Sequence, residues 1–388
     1  MPTYPRPTLN PKFVLSTVKT ILASSQLHAK QVESIAHGVL GVMHADQAGV
    51  SKIGTAAAAA RGTNPKHGIK QFDRLLSNLK IQDEKALRAH IRFVLAARPV
   101  LVVSLDWTEY AEDGHHRIAL SLVTRHGRST PLVSITVTDQ ELTGCRNEYE
   151  DDLLRWFKRL LPETVRQVTV LADRGFGDVE LYALLKLGLG FDYIIRFRGC
   201  IRVQDEHGHA APARKWVPSN GRARLLTHAK LTRKREEVLA VVAVKKRGMK
   251  EPWLLATSLP SSADTVVALY GRRFTIEENF RDEKDPRFGM GVLNVRIERP
   301  DRRDRLTLVL AIAMTLLTLL GAAGETLGLD RWLRANTVRR RTHSLFRQGR
   351  EYLRGAVGKV PEAVRRLRDA FVALLKHQPK TQELFGAI

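Results

Sequence analysis

At Arg98-Pro99 the spacing of the apolar residues changes from the helical period of about 3.6 to the strand period of about 2. A chain with that break joins a helical unit to a sheet, which excludes both a pure helical bundle and a pure sandwich. Before the break, Val14, Val18, Ile21 and Leu22, then Val32, Ile35, Ala36, Val39, Leu40 and Met43, recur at helical spacing on either side of Ser25-Gln26. A helical piece at 56–60 ends at Arg61-Gly62, and Asn64-Pro65 signals a turn. Residues 66–78 alternate cations with apolar side chains, which fits a plain surface helix and a helix facing a phosphate backbone equally well. Asp83 is expected to cap a last helix reaching 97, so that residues 1–97 form an all-α module.

After the break, the β-rich run 100–105 is expected to end in Asp106. Asp113-Gly114 and His126-Gly127 are turns that lead into strands at 117–124 and 131–137, giving an antiparallel meander. His115 and His116 have no partner at metal-ligand spacing and are expected to be exposed at the turn. A helix at 150–160 precedes a strand at 165–172 that runs into Asp173. Arg174-Gly175-Phe176-Gly177 turns the chain into a helix at 179–187, capped by Asp178, and a strand follows at 191–197. The order β-β-β-α-β-α-β predicts an α/β fold with a ribonuclease-H-like core rather than a doubly wound sheet.

The core is expected in two parts, 98–198 and 261–325, separated by a β-rich insertion at 199–260. The insertion has short runs at 201–203, 222–226, 238–244 and 253–257, and basic loops at Arg233-Lys234-Arg235 and Lys245-Lys246-Arg247. The apolar stretch 306–323 follows Arg302, Arg303 and Arg305 and contains Thr307, Thr315 and Thr318. It reads as a buried core helix rather than a membrane span. Residues 326–388 form a basic helical region, with seven arginines and no acid from Arg331 to Arg350.

Sixty-three Lys and Arg against 40 Asp and Glu leave a formal charge of +23 on 388 residues. Such an excess attracts a polyanion, nucleic acid first, although charge alone does not exclude an anionic membrane surface. Cys145 and Cys200, without a C-x-x-C, argue against a disulfide framework or zinc ribbon and fit a reducing cytoplasm. Residues 1–10 contain no apolar run, so no signal peptide is expected there.

Residues 270–284 read Y-G-R-R-F-T-I-E-E-N-F-R-D-E-K. As an unbroken helix from Arg272, this stretch sets Tyr270, Arg273, Glu277 and Lys284 on roughly one side, a phosphate-gripping edge containing one acid. Asp106 and Asp173, at the ends of core strands, would join Glu277 in one anionic pocket. Three carboxylates that close repel one another unless a cation sits among them, and their hard oxygens select Mg²⁺ or Mn²⁺. Two such ions can activate a water or 3′-hydroxyl for in-line attack on a phosphodiester.

The spacing Y-x2-R-x3-E-x6-K, met by Tyr270, Arg273, Glu277 and Lys284, resembles the YREK signature of cut-and-paste DDE transposases from bacterial insertion sequences of family four. Asp106 in Val-Ser-Leu-Asp-Trp-Thr and Asp173 in Leu-Ala-Asp-Arg-Gly-Phe are similar to that group's two aspartates, and the β insertion with Trp253-Leu-Leu-Ala-Thr is similar too. The resemblance implies that Asp106, Asp173 and Glu277 bind two divalent metals and catalyse nicking and strand transfer, with a hairpin intermediate in many relatives. It implies that Tyr270, Arg273 and Lys284 grip phosphates at the transposon end, and that Trp253 stacks on a flipped base. The implied partners are the terminal inverted repeats and target DNA, met by a homodimer in the bacterial cytoplasm beside the nucleoid, with no membrane. Phe274 departs from the tryptophan found there in some relatives. A transposase-derived protein that binds DNA without cutting and a structure-specific nuclease remain alternatives. Glu109 and Arg174 are expected to form simple ion pairs.

Overall fold

The computed structural model describes residues 9–232, 236–358, 360–376 and 384. The basic tripeptide Arg233-Lys234-Arg235 and residues 1–8 lie outside the described residues. The helical N-terminal part comprises α1 (Pro11–Ile21), α2 (Ala29–His44), α3 (Val50–Arg61), α4 (Pro65–Ser77) and α5 (Asp83–Leu95). Asn64-Pro65 is the start of a helix: the Asn64 side chain accepts from the Lys66 amide, and Pro65 fills a first-turn position where no amide donor is needed. Asn10-Pro11 begins α1 in the same way. Asp83 does not cap α5; its carboxylate faces Arg305 at 3.4 Å. The helix stops at Leu95 rather than 97 because Ala96 turns to a φ of 50°.

The sheet contains β1 (Val100–Tyr110), β2 (His115–Leu122) and β3 (Thr130–Thr138). After α6 (Asp139–Leu142) and α7 (Arg146–Leu160) come β4 (Gln167–Ala172), α8 (Val179–Ala183) and β5 (Asp192–Arg196). Then follow β6 (Arg202–Gln204), β7 (Ala210–Pro212), β8 (Arg224–Leu231), β9 (Glu236–Val244) and β10 (Trp253–Thr257). The ten strands make one sheet in the order β3-β2-β1-β4-β5-β10-β9-β8-β6-β7. The meander is antiparallel, β1, β4 and β5 are mutually parallel, and β10 adds antiparallel to β5. The β-rich insertion is therefore an extension of the core sheet.

The remaining helices are α9 (Ala263–Gly271), α10 (Thr275–Lys284), α11 (Pro300–Thr326), α12 (Leu345–Leu353) and α13 (Pro361–Lys376). Between α9 and α10 the backbone tightens into a 3-10 turn over Arg272–Phe274, so the expected unbroken helix is two helices with a joint. The most apolar window of α11 is 94% buried in the fold, as expected of a core helix. One continuous core takes in residues from α1, α2, α5, the sheet, α11, α12 and α13, giving an α/β fold with helices packed around a mixed sheet. His115, expected to be exposed, is 1% exposed: its Nδ1 accepts from Arg303 Nε and its Nε2 donates to the Glu298 carbonyl.

Candidate active site

Leu105 and Ala172 are register partners on the parallel strands β1 and β4, and the next residues are Asp106 and Asp173. The β1–β4 pairing stops there, but β1 itself runs on to Tyr110 against β2. Asp106 is thus in mid-strand at the point where one neighbour leaves, a correction to the expected strand end. The two aspartates thus directly follow a paired position on adjacent strands, which lie about 4.8 Å apart, and Asp173 is near enough to act on the Asp106 charge. Asp106 Oδ1 accepts from the Trp107 amide (2.9 Å) and Asp173 Oδ1 from the Gly175 amide (2.7 Å).

The joint between α9 and α10 carries Arg273 to this edge. Its guanidinium is buried; Nη1 donates to Asp106 Oδ2 at 3.2 Å and Nη2 to Glu277 Oε1 at 2.6 Å. Ser104 Oγ donates to the Arg273 carbonyl, fixing the joint to β1. One cation therefore bridges the first and third acids, while the Glu277 side chain stays 49% exposed. Burial pushes Asp106 up to about 6, with repulsion from Asp173 and Glu277 adding to the rise and Arg273 opposing it. Asp106 is thus within electrostatic reach of both other acids.

Tyr270 is 1% exposed and meets the Trp253 ring edge-on at 4.9 Å; Phe274 completes the aromatic group. Trp253, on the first residue of β10, is half-buried. Lys284 Nζ donates to the Glu109 carbonyl at 2.5 Å and lies 4.4 Å from the centre of the Tyr110 ring. Burial, reinforced by Arg117, brings its pKa down to about 8. Arg174 is an ion pair, as expected, with Glu251 at 3.0 Å, and Arg196 shares that carboxylate. Asp178 caps α8.

A buried anchor beneath α10 escaped the sequence reading. Arg117 on β2 grips Glu283 with two hydrogen bonds of 2.6 and 2.7 Å, and Tyr110 donates to the same carboxylate. Its only signal was Glu283 within a charge run, where every residue looked solvated.

Oxygen donors of this kind suit magnesium or manganese. Among the described residues, however, no three His, Cys, Asp or Glu side chains stand together as a metal site. Asp173 follows the strand next to that of Asp106, whereas Arg273 stands between Asp106 and Glu277 and supplies positive charge there.

The family model of the transposase DDE domain matches residues 107–316, more than half of the 388-residue chain. The chain belongs to the transposase DDE domain family. The match runs from the residue after Asp106 into α11, so it spans β2 to β10, Asp173 and the whole of α10. DDE transposases act on DNA, and their catalytic domains generally use divalent metal ions. No curated protein matches the chain.

Proposed function

We propose that this DDE transposase moves its own insertion sequence by cut-and-paste, with Asp106, Asp173 and Glu277 as its catalytic acids on a ribonuclease-H-like core. The observation that carries the reading is that Asp106, paired with Glu277 through the Arg273 guanidinium, also feels the charge of Asp173, although the three acids are 67 and 104 positions apart along the chain. Asp106, Asp173 and Glu277 would hold two magnesium or manganese ions, which would activate the attacking oxygen and neutralise charge on the phosphodiester. Arg273 offsets the charge of Asp106 and Glu277, and it would be free to grip a DNA phosphate once the acids hold other cations. Lys284 would exchange the Glu109 carbonyl for a phosphate at the same end, Tyr270, buried against Trp253, would reach one only on movement of that ring, and Trp253, beside the joint, would receive a base displaced from the duplex.

The helical module at 1–97 is assigned to the transposon end. His67, Lys70, Gln71 and Arg74 on α4 line a groove of about 620 Å³ that has no acid in its wall. Lys66, Lys70 and Arg74 are exposed and, among the described residues, none pairs with a carboxylate. A homodimer on DNA, in the bacterial cytoplasm, completes the reading. Incubation with duplex carrying the inverted repeats that flank the gene, plus Mg²⁺, tests it by mapping cut positions. Cuts confined to the repeat boundaries are expected. Cutting of any duplex alike would instead favour a structure-specific nuclease, and end binding without cutting would favour a transposase-derived binding protein.

A further inference from the structure

The segment 331–343 leaves the core between α11 and α12 and does not continue as helix beyond the turn Leu329–Leu333. Two of its arginines are fastenings. Arg334 pairs with Asp330 at 3.3 Å and donates to the Val338 carbonyl, closing the loop on itself. Arg341 donates to the His126 carbonyl at 2.6 Å and reaches Glu325 at 3.4 Å. Three others, Arg331, Arg339 and Arg340, are exposed and, among the described residues, have no carboxylate partner. Beside them Trp332 is 51% exposed and Val338 38% exposed.

The place where Arg341 is fastened matters. The β2–β3 turn that holds it also carries Arg128, which pairs with Glu278 and Asp282 on α10, and Ser129, whose amide donates to the Thr275 carbonyl. A single turn thus connects the basic segment to the helix bearing Glu277. A fastened loop with free guanidiniums and an exposed indole suits a phosphate backbone plus an unstacked base.

We propose that segment 331–343 is a second DNA-contacting surface, separate from the α4 groove, which holds strand beside the acids: Arg331, Arg339 and Arg340 on phosphates and Trp332 against a base. The proposal rests on the DNA-acting reading above but not on which acids cut. The DNA it holds comes from one of two sources, the donor flank beyond the cut or the acceptor duplex, and the chemistry is shared.

The test uses full-length protein, R339A/R340A and W332A, with labelled duplexes: a bare terminal repeat, the repeat with its flank, and a duplex of unrelated sequence. Thermal unfolding of each variant is measured alongside. R339A/R340A is expected to lower the slope of log K against log salt by about 2 on one of the latter two duplexes, with little change on the bare repeat. W332A is expected to weaken binding to the same duplex by about tenfold. Loss with the flanked repeat assigns the surface to donor DNA, and loss with the unrelated duplex assigns it to the acceptor. Unchanged slopes and affinities on both, with folding intact, overturn the proposal. So does loss of binding only to vesicles of anionic phospholipid, run as a parallel arm. If the variants melt early, R339K/R340K and W332F replace them, with retained slope and partial stacking loss expected. Wild-type cleavage at its own repeats, measured on the same samples, separates failure of this surface from failure of the transposase reading.

Discussion

At the residue scale the account turns on Arg273. The spacing from Tyr270 to Lys284 was legible because all four residues fall within one short stretch, where helical geometry fixes neighbours. That Arg273 would face Asp106 was not legible, since it depends on the joint at 272–274 and on a strand 167 positions away. Removing this buried cation leaves the largely buried Asp106 uncompensated, which typically costs about 3–5 kcal/mol, while half-exposed Glu277 is solvated. Arg273→Ala should therefore lower stability strongly in denaturant titrations at pH 7.5. Because Asp106 already has a folded-state pKa above its ordinary value, the folded state takes up a proton first as pH falls. The Arg273→Ala defect should accordingly shrink toward pH 5, and a defect independent of pH would contradict the pairing. Asp304 offers a second residue-scale measurement: burial raises it to about 7, opposed by Thr136 and Arg117, in a cavity wall it shares with Asp83 and Glu283. Its raised pKa means that stability falls as pH rises from about 4 through about 7. Asp304→Asn should stabilise the protein more at pH 8 than at pH 4 by differential calorimetry, provided the isosteric amide keeps its partners.

At the scale of elements, the meander and the parallel strands were readable because Gly-containing turns and period-2 runs are local signals. Strand pairing is not local, so the junction of β10 with β5, which makes the insertion part of the same sheet, could not be read. β7, three residues ending in Pro212, is too short to carry a period. His115 looked like a turn residue because the residue that buries it, Arg303, comes 188 positions later. The anchor under α10 predicts that Glu283→Gln, which leaves Arg117 buried with a neutral partner, costs about 3 kcal/mol or more and loosens the Glu277 helix. Hydrogen exchange across α10 should speed up in that variant while α4 stays protected. α12 lies directly on α11: a Cβ on Gly349 would stand 1.9 Å from the Leu317 carbonyl oxygen, and one on Gly321 1.8 Å from that of Leu345. Backbone cannot yield as a side chain does, so Gly349→Ala should cost about 1–3 kcal/mol or more and expose the C-terminal helices to protease.

At the scale of the whole molecule, the charge of +23 is spread over distinct surfaces, the α4 groove among them. Composition alone leads to the expectation of a polyanion partner, while proposing where it would bind requires knowing which cations are already paired, as Arg302 is with Asp73. Replacing Lys66, Lys70 and Arg74 together by alanine should reduce the salt slope for end binding by about 2 to 3. The same triple variant should leave the acids' metal affinity unchanged. The central claim is that Asp106, Asp173 and Glu277 form one metal centre despite their separation in sequence. Manganese titration followed by electron paramagnetic resonance, on the wild type and on Asp106→Asn, Asp173→Asn and Glu277→Gln, tests it most directly. Weakened Mn²⁺ uptake in each of the three variants, with folding retained, is the predicted result; wild-type uptake in all three would contradict the account.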